Sequence, residues 1–128
     1  MALPFIISCS TLLYENNEKL KKISPSAFTL PNLIYIVLND GLLEIERRAF
    51  KGCKNLKYAI LPNSIIRIYD EVFSSGNIYC DVETKPEGWD ENFAVGNAKV
   101  YWKGEWDYDE NGIPYPLTEE MTNAETIS

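Results

Sequence analysis

The segment F-T-L-P-N-L-I-Y-I-V-L-N-D-G-L-L-E-I-E-R-R-A-F (residues 28–50) is followed at once by F-K-G-C-K-N-L-K-Y-A-I-L-P-N-S-I-I-R-I-Y-D-E-V-F (residues 50–73). The two say the same thing. Leu33, Ile36, Leu38, Leu42, Ile45, Ala49 and Phe50 recur as Leu56, Ala59, Leu61, Ile65, Ile68, Val72 and Phe73, each 23 residues on. A fixed period of this size marks a solenoid, in which each repeat is one unit that buries its apolar face only by stacking on its neighbours.

Within a repeat the local pattern changes. Residues 33–38 and 56–61 are apolar, with β-branched and aromatic members, and read as strands. Asn39-Asp40-Gly41 and Pro62-Asn63-Ser64 are turn sequences. Leu42-x-x-Ile45 and Ile65-x-x-Ile68 read as a second short extended piece, and the stretches ending at Phe50 and Phe73 leave room for a single helical turn. Each coil is thus strand, turn, short strand and tight helical corner. Stacking pairs the strands in parallel and closes their edges.

Outward from this stretch the pattern weakens. Leu20, Ile23, Ala27 and Phe28 match Leu42, Ile45, Ala49 and Phe50 at a spacing of 22, so residues 3–28 read as a degenerate first coil with Leu12-Leu13-Tyr14 as its strand. No polar cap precedes it, although terminal repeats need one. Either Phe5-Ile6-Ile7 folds over as an improvised cap, or the chain is a piece of a longer array. Ile6-Ile7-Ser8-Cys9 resembles a bacterial lipobox, but it lacks a basic region before it, and a buried first coil is the expectation.

From Thr84 the repeat stops. All three tryptophans, Trp89, Trp102 and Trp106, lie beyond it. Residues 86–93 read as a turn and short helix over the open end of the last coil, with Val100-Tyr101-Trp102 as a closing strand. The division expected is a repeat domain over 1–106 (repeats 12–83, cap 84–106) and an acidic, mobile tail over 107–128.

Charge follows the same division. Residues 1–104 carry 12 acidic and 12 basic side chains; residues 105–128 carry 7 acidic and none basic, which is the whole net charge of −7. A neutral body with an acidic end argues against nucleic acid, since phosphate contacts need clustered Lys and Arg. No apolar run approaches the roughly 20 residues of a membrane helix.

Little chemistry is offered. Histidine is absent, which removes the commonest general base and zinc ligand. Cys9, Cys53 and Cys80 are an odd set without paired spacing, so reduced, buried thiols are expected. Asp107-x-Asp109-x-Asn111-Gly112 matches half of a calcium loop, but position 12 is Thr118 where a bidentate Glu belongs. An Asn-Gly hairpin turn is the expected alternative. Neither cofactor nor metal is expected. The remaining candidate is the strand surface. With Ile36, Leu38, Ala59 and Leu61 inward, Tyr35, Val37, Tyr58 and Ile60 point out, with Tyr79 as a further rung. Such a ladder is either sheet stabiliser or binding surface.

Ala49-Phe50, Gly52-Cys53-Lys54-Asn55-Leu56, Leu61-Pro62 and Ile65-Ile66-Arg67-Ile68 together resemble the BspA-like, Treponema pallidum-type leucine-rich repeats. The likeness covers about residues 12–106, and the first copy departs from it at Thr29-Leu30-Pro31-Asn32. It implies an α/β, strand-rich solenoid: a short right-handed leucine-rich-repeat array of about four coils with an aromatic C-terminal cap. It also implies a non-enzymatic protein-interaction or adhesion module, at the cell surface or secreted, whose protein partner is a host or cell-surface protein. The alternative is a structural spacer in a larger surface protein, self-associating through its first coil.

Overall fold

The computed structural model describes residues 6–7, 11–14, 22–23, 32–38 and 40–118; for 6–7 and 11–14 only the backbone is described. Among the described residues eleven strands follow one another: β1 (Ile6–Ile7), β2 (Thr11–Tyr14), β3 (Lys22–Ile23), β4 (Tyr35–Leu38), β5 (Glu44–Ile45), β6 (Tyr58–Leu61), β7 (Arg67–Ile68), β8 (Asn77–Cys80), β9 (Lys99–Tyr101), β10 (Trp106–Tyr108) and β11 (Pro114–Pro116). They form a six-stranded sheet in the order β1-β2-β4-β6-β8-β9, a three-stranded sheet β3-β5-β7, and the hairpin β10-β11. From β2 to β9 the large sheet is parallel throughout. Only β1 runs the other way, Ile6 opposite Leu13 and Ile7 opposite Leu12.

The 23-residue period is what sets the register. Tyr35, Ile36 and Val37 lie beside Tyr58, Ala59 and Ile60, and Ile45 beside Ile68. Identical positions therefore stack on one another, and each row of side chains runs through the solenoid as a continuous column. The inner rows are buried: Ile36, Ala59 and Ile78 in one, Leu38, Leu61 and Cys80 in the next. Ile23, Ile45 and Ile68 form the column of the second sheet, and Phe50 and Phe73 stack at 5.5 Å and 7° at the corner. Each fully buried aliphatic or aromatic side chain is worth about 1.5–3 kcal/mol. A coil cut from its neighbours would lose that on both sides.

Two expectations need correction. The α/β reading placed a helical turn at each corner, and among the described residues there is no helix. Short turns close the corners instead, such as Ala49 N–H to Glu46 O (3.2 Å) and Cys53 N–H to Phe50 O (3.0 Å). Arg48 and Glu71, one period apart, sit in the left-handed region at φ 59° and 54°. That reversal ends any helical run after one turn. Second, the strand-rich solenoid has about three turns rather than four, because the second sheet supplies only β3, β5 and β7. Beyond β7 its place is held by a single bridge, Ile68 to Trp89.

The aromatic end follows the coil path without the repeat's residues. Trp89 stands beside Ile68 and Ala94 beside Phe73, and β9 pairs with β8. No helix forms over 86–93. Trp89 is 1% exposed, its indole N–H donates to Ile65 O at 3.0 Å, and it meets Phe93 edge-on at 5.4 Å.

Candidate functional site: the outer face of the large sheet

Alternation along each strand divides inner from outer residues. In β4 and β6 the pattern is strict. Ile36, Leu38, Ala59 and Leu61 are buried, while Tyr35, Val37, Tyr58 and Ile60 are half-buried and face out. The register brings these four together as expected, Tyr35 beside Tyr58 and Val37 beside Ile60. The two phenol rings lie 4.6 Å apart at 36°.

Tyr79 is a different case. It falls on the Val37–Ile60 row, in register with Ile60, while Asn77 continues the tyrosine row beside Tyr58. It is also 2% exposed and offers no free surface, contrary to the expectation. Its ring is boxed in by Tyr101 at 5.4 Å, Trp106 at 5.1 Å and Tyr58 at 6.2 Å. The Asn77 side-chain amide donates to its hydroxyl at 3.0 Å. Burial pushes the Tyr79 phenol above its ordinary range, and the Asn77 hydrogen bond opposes that shift.

The cover comes from Tyr101 and Trp106 of the expected cap, and Trp106 opens a hairpin that runs on into the expected tail. Residues 106–116 form a hairpin with Trp106 opposite Pro116 and Tyr108 opposite Pro114. The Trp106 indole N–H anchors it to Cys80 O at 3.0 Å, and Leu117 N–H donates to Glu105 O at 2.8 Å. At its turn the Asp109 carboxylate accepts from Asn111 N–H (2.8 Å) and Ile113 N–H (3.0 Å). One oxygen of the calcium-like pattern is thus occupied by the backbone of its own loop, the usual behaviour of Asp in a turn. Thr118 closes the described part of the chain, and Cys9 lies outside the described residues.

The sequence did not point to this hairpin as part of the face. The signal available was Trp106-Asp107-Tyr108 against Pro114-Tyr115-Pro116 about an Asn-Gly turn, which shows a hairpin but not where it docks. Cys53 and Cys80 are buried, and burial raises the Cys80 thiol far above its ordinary range. At the corner Arg47, Arg48 and Lys51 meet acids one coil on: Arg47 to Asp70 (2.7 Å), Arg48 to Glu71 (3.6 Å), and Lys51 to Glu71. A shallow cleft of about 330 Å³ lies between Arg67, Tyr69, Glu87 and Asp90, floored by Ile68 and Trp89. Among the described residues no helix is long and apolar enough to cross a membrane.

Comparison with known proteins agrees with the coil geometry. Residues 8–84 match the family model described as a BspA type leucine rich repeat region (6 copies). No curated protein and no solved structure matches the chain. The match takes in β2 through β8, the strands that set the repeat register, and the chain belongs to the BspA-type leucine-rich-repeat family.

Proposed function

We propose that this protein is a non-enzymatic protein-binding module of the adhesion type, and that it binds through the outer face of β4 and β6. The observation that carries the reading is the half-buried cluster of Tyr35, Val37, Tyr58 and Ile60 on a face whose other end is already covered by the molecule's own aromatic residues. Apolar surface of the same kind has one occupant at β8. The part over β4 and β6 is open to another. Contiguous exposed apolar and aromatic groups concentrate binding energy when a partner excludes water from them. The family supports the same reading, since leucine-rich repeats are generally interaction folds. A host or cell-surface protein is the class of partner proposed.

The test is capture of host extracellular and cell-surface proteins on the immobilised chain, compared with Ile60→Lys and Tyr58→Glu. Each variant puts a charge where a partner would desolvate it and should weaken binding by more than ~2 kcal/mol. Unchanged capture by both, with folding intact, would move the site to the loops. Self-association in a size measurement, lost in neither variant, would favour the spacer reading.

A further inference from the structure

One part of the outer face has its occupant in view, and that occupant shows what the face accepts. Among the described residues β10 and β11 make a two-stranded sheet of their own and join neither larger sheet. In an antiparallel pair opposed residues share a side and neighbours alternate. Trp106, Tyr108, Pro114 and Pro116 therefore lie on one side of the hairpin, and Asp107 and Tyr115 on the other. The first side is turned to the body. The Trp106 ring lies 5.1 Å from that of Tyr79, its indole N–H donates to Cys80 O at 3.0 Å, and Pro114 is buried. Tyr101 stacks on Tyr79 at 5.4 Å. A bed of phenol rings with a backbone carbonyl beside it is thus filled by one indole.

The hairpin holds its own shape. Asp109 N–H donates to Ile113 O (2.9 Å), Gly112 N–H to Asp109 O (3.0 Å) and Leu117 N–H to Glu105 O (2.8 Å). It follows Gly104, which is exposed at φ +99° with nothing within 4 Å of an added Cβ. Just before that glycine the chain is fixed to the body, Lys103 N–H donating to Val82 O at 2.8 Å. The open space at Gly104 leaves room for a rotation that carries the hairpin away as a unit. That rotation would join Tyr79 and Tyr101 to the open row, since Val37, Ile60, Tyr79 and Tyr101 are successive partners in register.

We infer that the β10–β11 hairpin is an internal competitor: Trp106 fills an indole site on β8 and β9, and a protein partner displaces it with an exposed tryptophan of its own. The inference rests on the reading of this face as a binding surface and adds the side chain the partner brings. Tryptophan is selected by what the site already satisfies. Its ring packs on phenol rings, and its single N–H meets a single carbonyl. An aliphatic side chain would fill the bed but take that donor away from Cys80 O. Buried aromatic anchors of this kind carry much of the energy of an interface. The closed hairpin lowers the partner's apparent affinity in proportion to the fraction of molecules that are open. In return Tyr79 is covered while no partner is present.

The probe is N-acetyltryptophanamide, with N-acetylleucinamide as its counterpart, titrated into the whole chain and followed by NMR. Trp106→Ala empties the bed and should bind the tryptophan compound about tenfold more tightly than the parent protein, which must first open. The leucine compound should bind neither. The parent protein gives a second reading that no substitution disturbs. Excess tryptophan compound should shift the Trp106 indole N–H signal and speed its deuterium exchange severalfold. The Trp89 indole N–H, bonded to Ile65 O in the core, should stay as it was. Equal affinity of variant and parent, equal binding of both compounds, or an undisturbed Trp106 signal in excess probe overturns the inference. So does loss of Trp89 protection together with that of Trp106, since the hairpin would then leave only with global unfolding. The two readings fail separately. If Ile60→Lys abolishes capture of a protein partner while Trp106→Ala neither binds the probe nor raises that capture, the face stands as a binding surface and the internal competitor fails. If the probe displaces Trp106 but neither parent nor Trp106→Ala captures any protein, the indole site stands and the protein-binding reading of the face fails.

Discussion

The middle coil and the closing coil put the same chain path to different uses. In the middle coil the positions repeat: Ile68 lies on Ile45, Phe73 on Phe50, and Ile60 on Val37. In the closing coil Trp89 stands beside Ile68, Ala94 beside Phe73, and Tyr79 beside Ile60. Inside, a larger ring replaces an aliphatic side chain where no further repeat follows, so one residue covers what a coil would have covered. Outside, Tyr79 is buried where Ile60 is half open, because the hairpin folds back only that far. A repeat position thus fixes where a side chain points. What lies over it is decided by the end of the chain.

The sharpest way to break the comparison is Trp89→Ala. The indole is buried, bonded to Ile65 O and packed on Phe93 and on Trp102 at 5.9 Å. The substitution should cost about 3–5 kcal/mol by urea or thermal unfolding. An unchanged melting temperature would mean that the inner column ends at Ile68 and that Trp89 is no substitute for a coil.

Trp106→Ala asks the same of the outside. It removes one hydrogen bond to Cys80 O and the ring over Tyr79, but Trp106 is only partly buried and the hairpin is not part of the core. A loss of about 2 kcal/mol is expected. Tyr79, buried in the parent protein and expected to resist tyrosine iodination there, should then become reactive. If Tyr79 stays protected, its burial comes from Tyr101 and Tyr58 without Trp106.

How much of this was legible follows from what a period can encode. The 23-residue repeat gave the register of Tyr35 with Tyr58 and of Val37 with Ile60, and the inward set, because stacking preserves sequence spacing. It gave Tyr79 only as a further rung, with no row assigned to it, and left it uncovered. The corner from Phe73 to Ile78 is shorter than that from Phe50 to Ala59, so β8 arrives early and Tyr79 pairs with Ile60, not Tyr58. The helical corners failed for a local reason, the left-handed Arg48 and Glu71, which no apolar spacing reports. The docking of the hairpin is a long-range event between Trp106 and Cys80. Nothing repeats in it.

The shortened corner can be tested directly. Gly76 sits at φ +87°, and a Cβ there would lie 2.7 Å from Leu56 O, a backbone atom that cannot swing aside. Gly76→Ala should therefore cost more than about 1 kcal/mol, both from the left-handed backbone and from the contact. Gly41 offers the contrast, at φ +103° with nothing within 4 Å of its added Cβ, so Gly41→Ala should carry only the backbone part. Equal losses at the two sites would mean that the close approach of successive coils at Leu56 is not tight.

The smallest effect belongs to the charged column of the corners, which exists in the middle coil and is not continued. Arg47 donates to Asp70, and Lys51 and Arg48 face Glu71, while the residue one coil beyond Glu71 is the neutral Asn92, whose carbonyl accepts Glu71 N–H at 2.8 Å. Asp70 is held below its ordinary value of 3.8 by the Arg47 hydrogen bond, and Glu71 below 4.5 by the Lys51 hydrogen bond. Carboxyls whose pKa falls on folding stabilise the fold above their unfolded pKa. That contribution is lost as pH falls through the folded pKa. Arg47 is raised from an already high value and stays charged throughout, so the pH dependence comes from the acids. These groups are solvent-exposed and screened, so the contribution is small and salt-sensitive. Asp70→Asn with Glu71→Gln should lower the melting temperature slightly at pH 7 in low salt. The difference from the parent protein should shrink with added salt and vanish once the pH is below the folded pKa of both acids. A difference that persists in acid would have to come from packing or from the backbone at Glu71, not from charge.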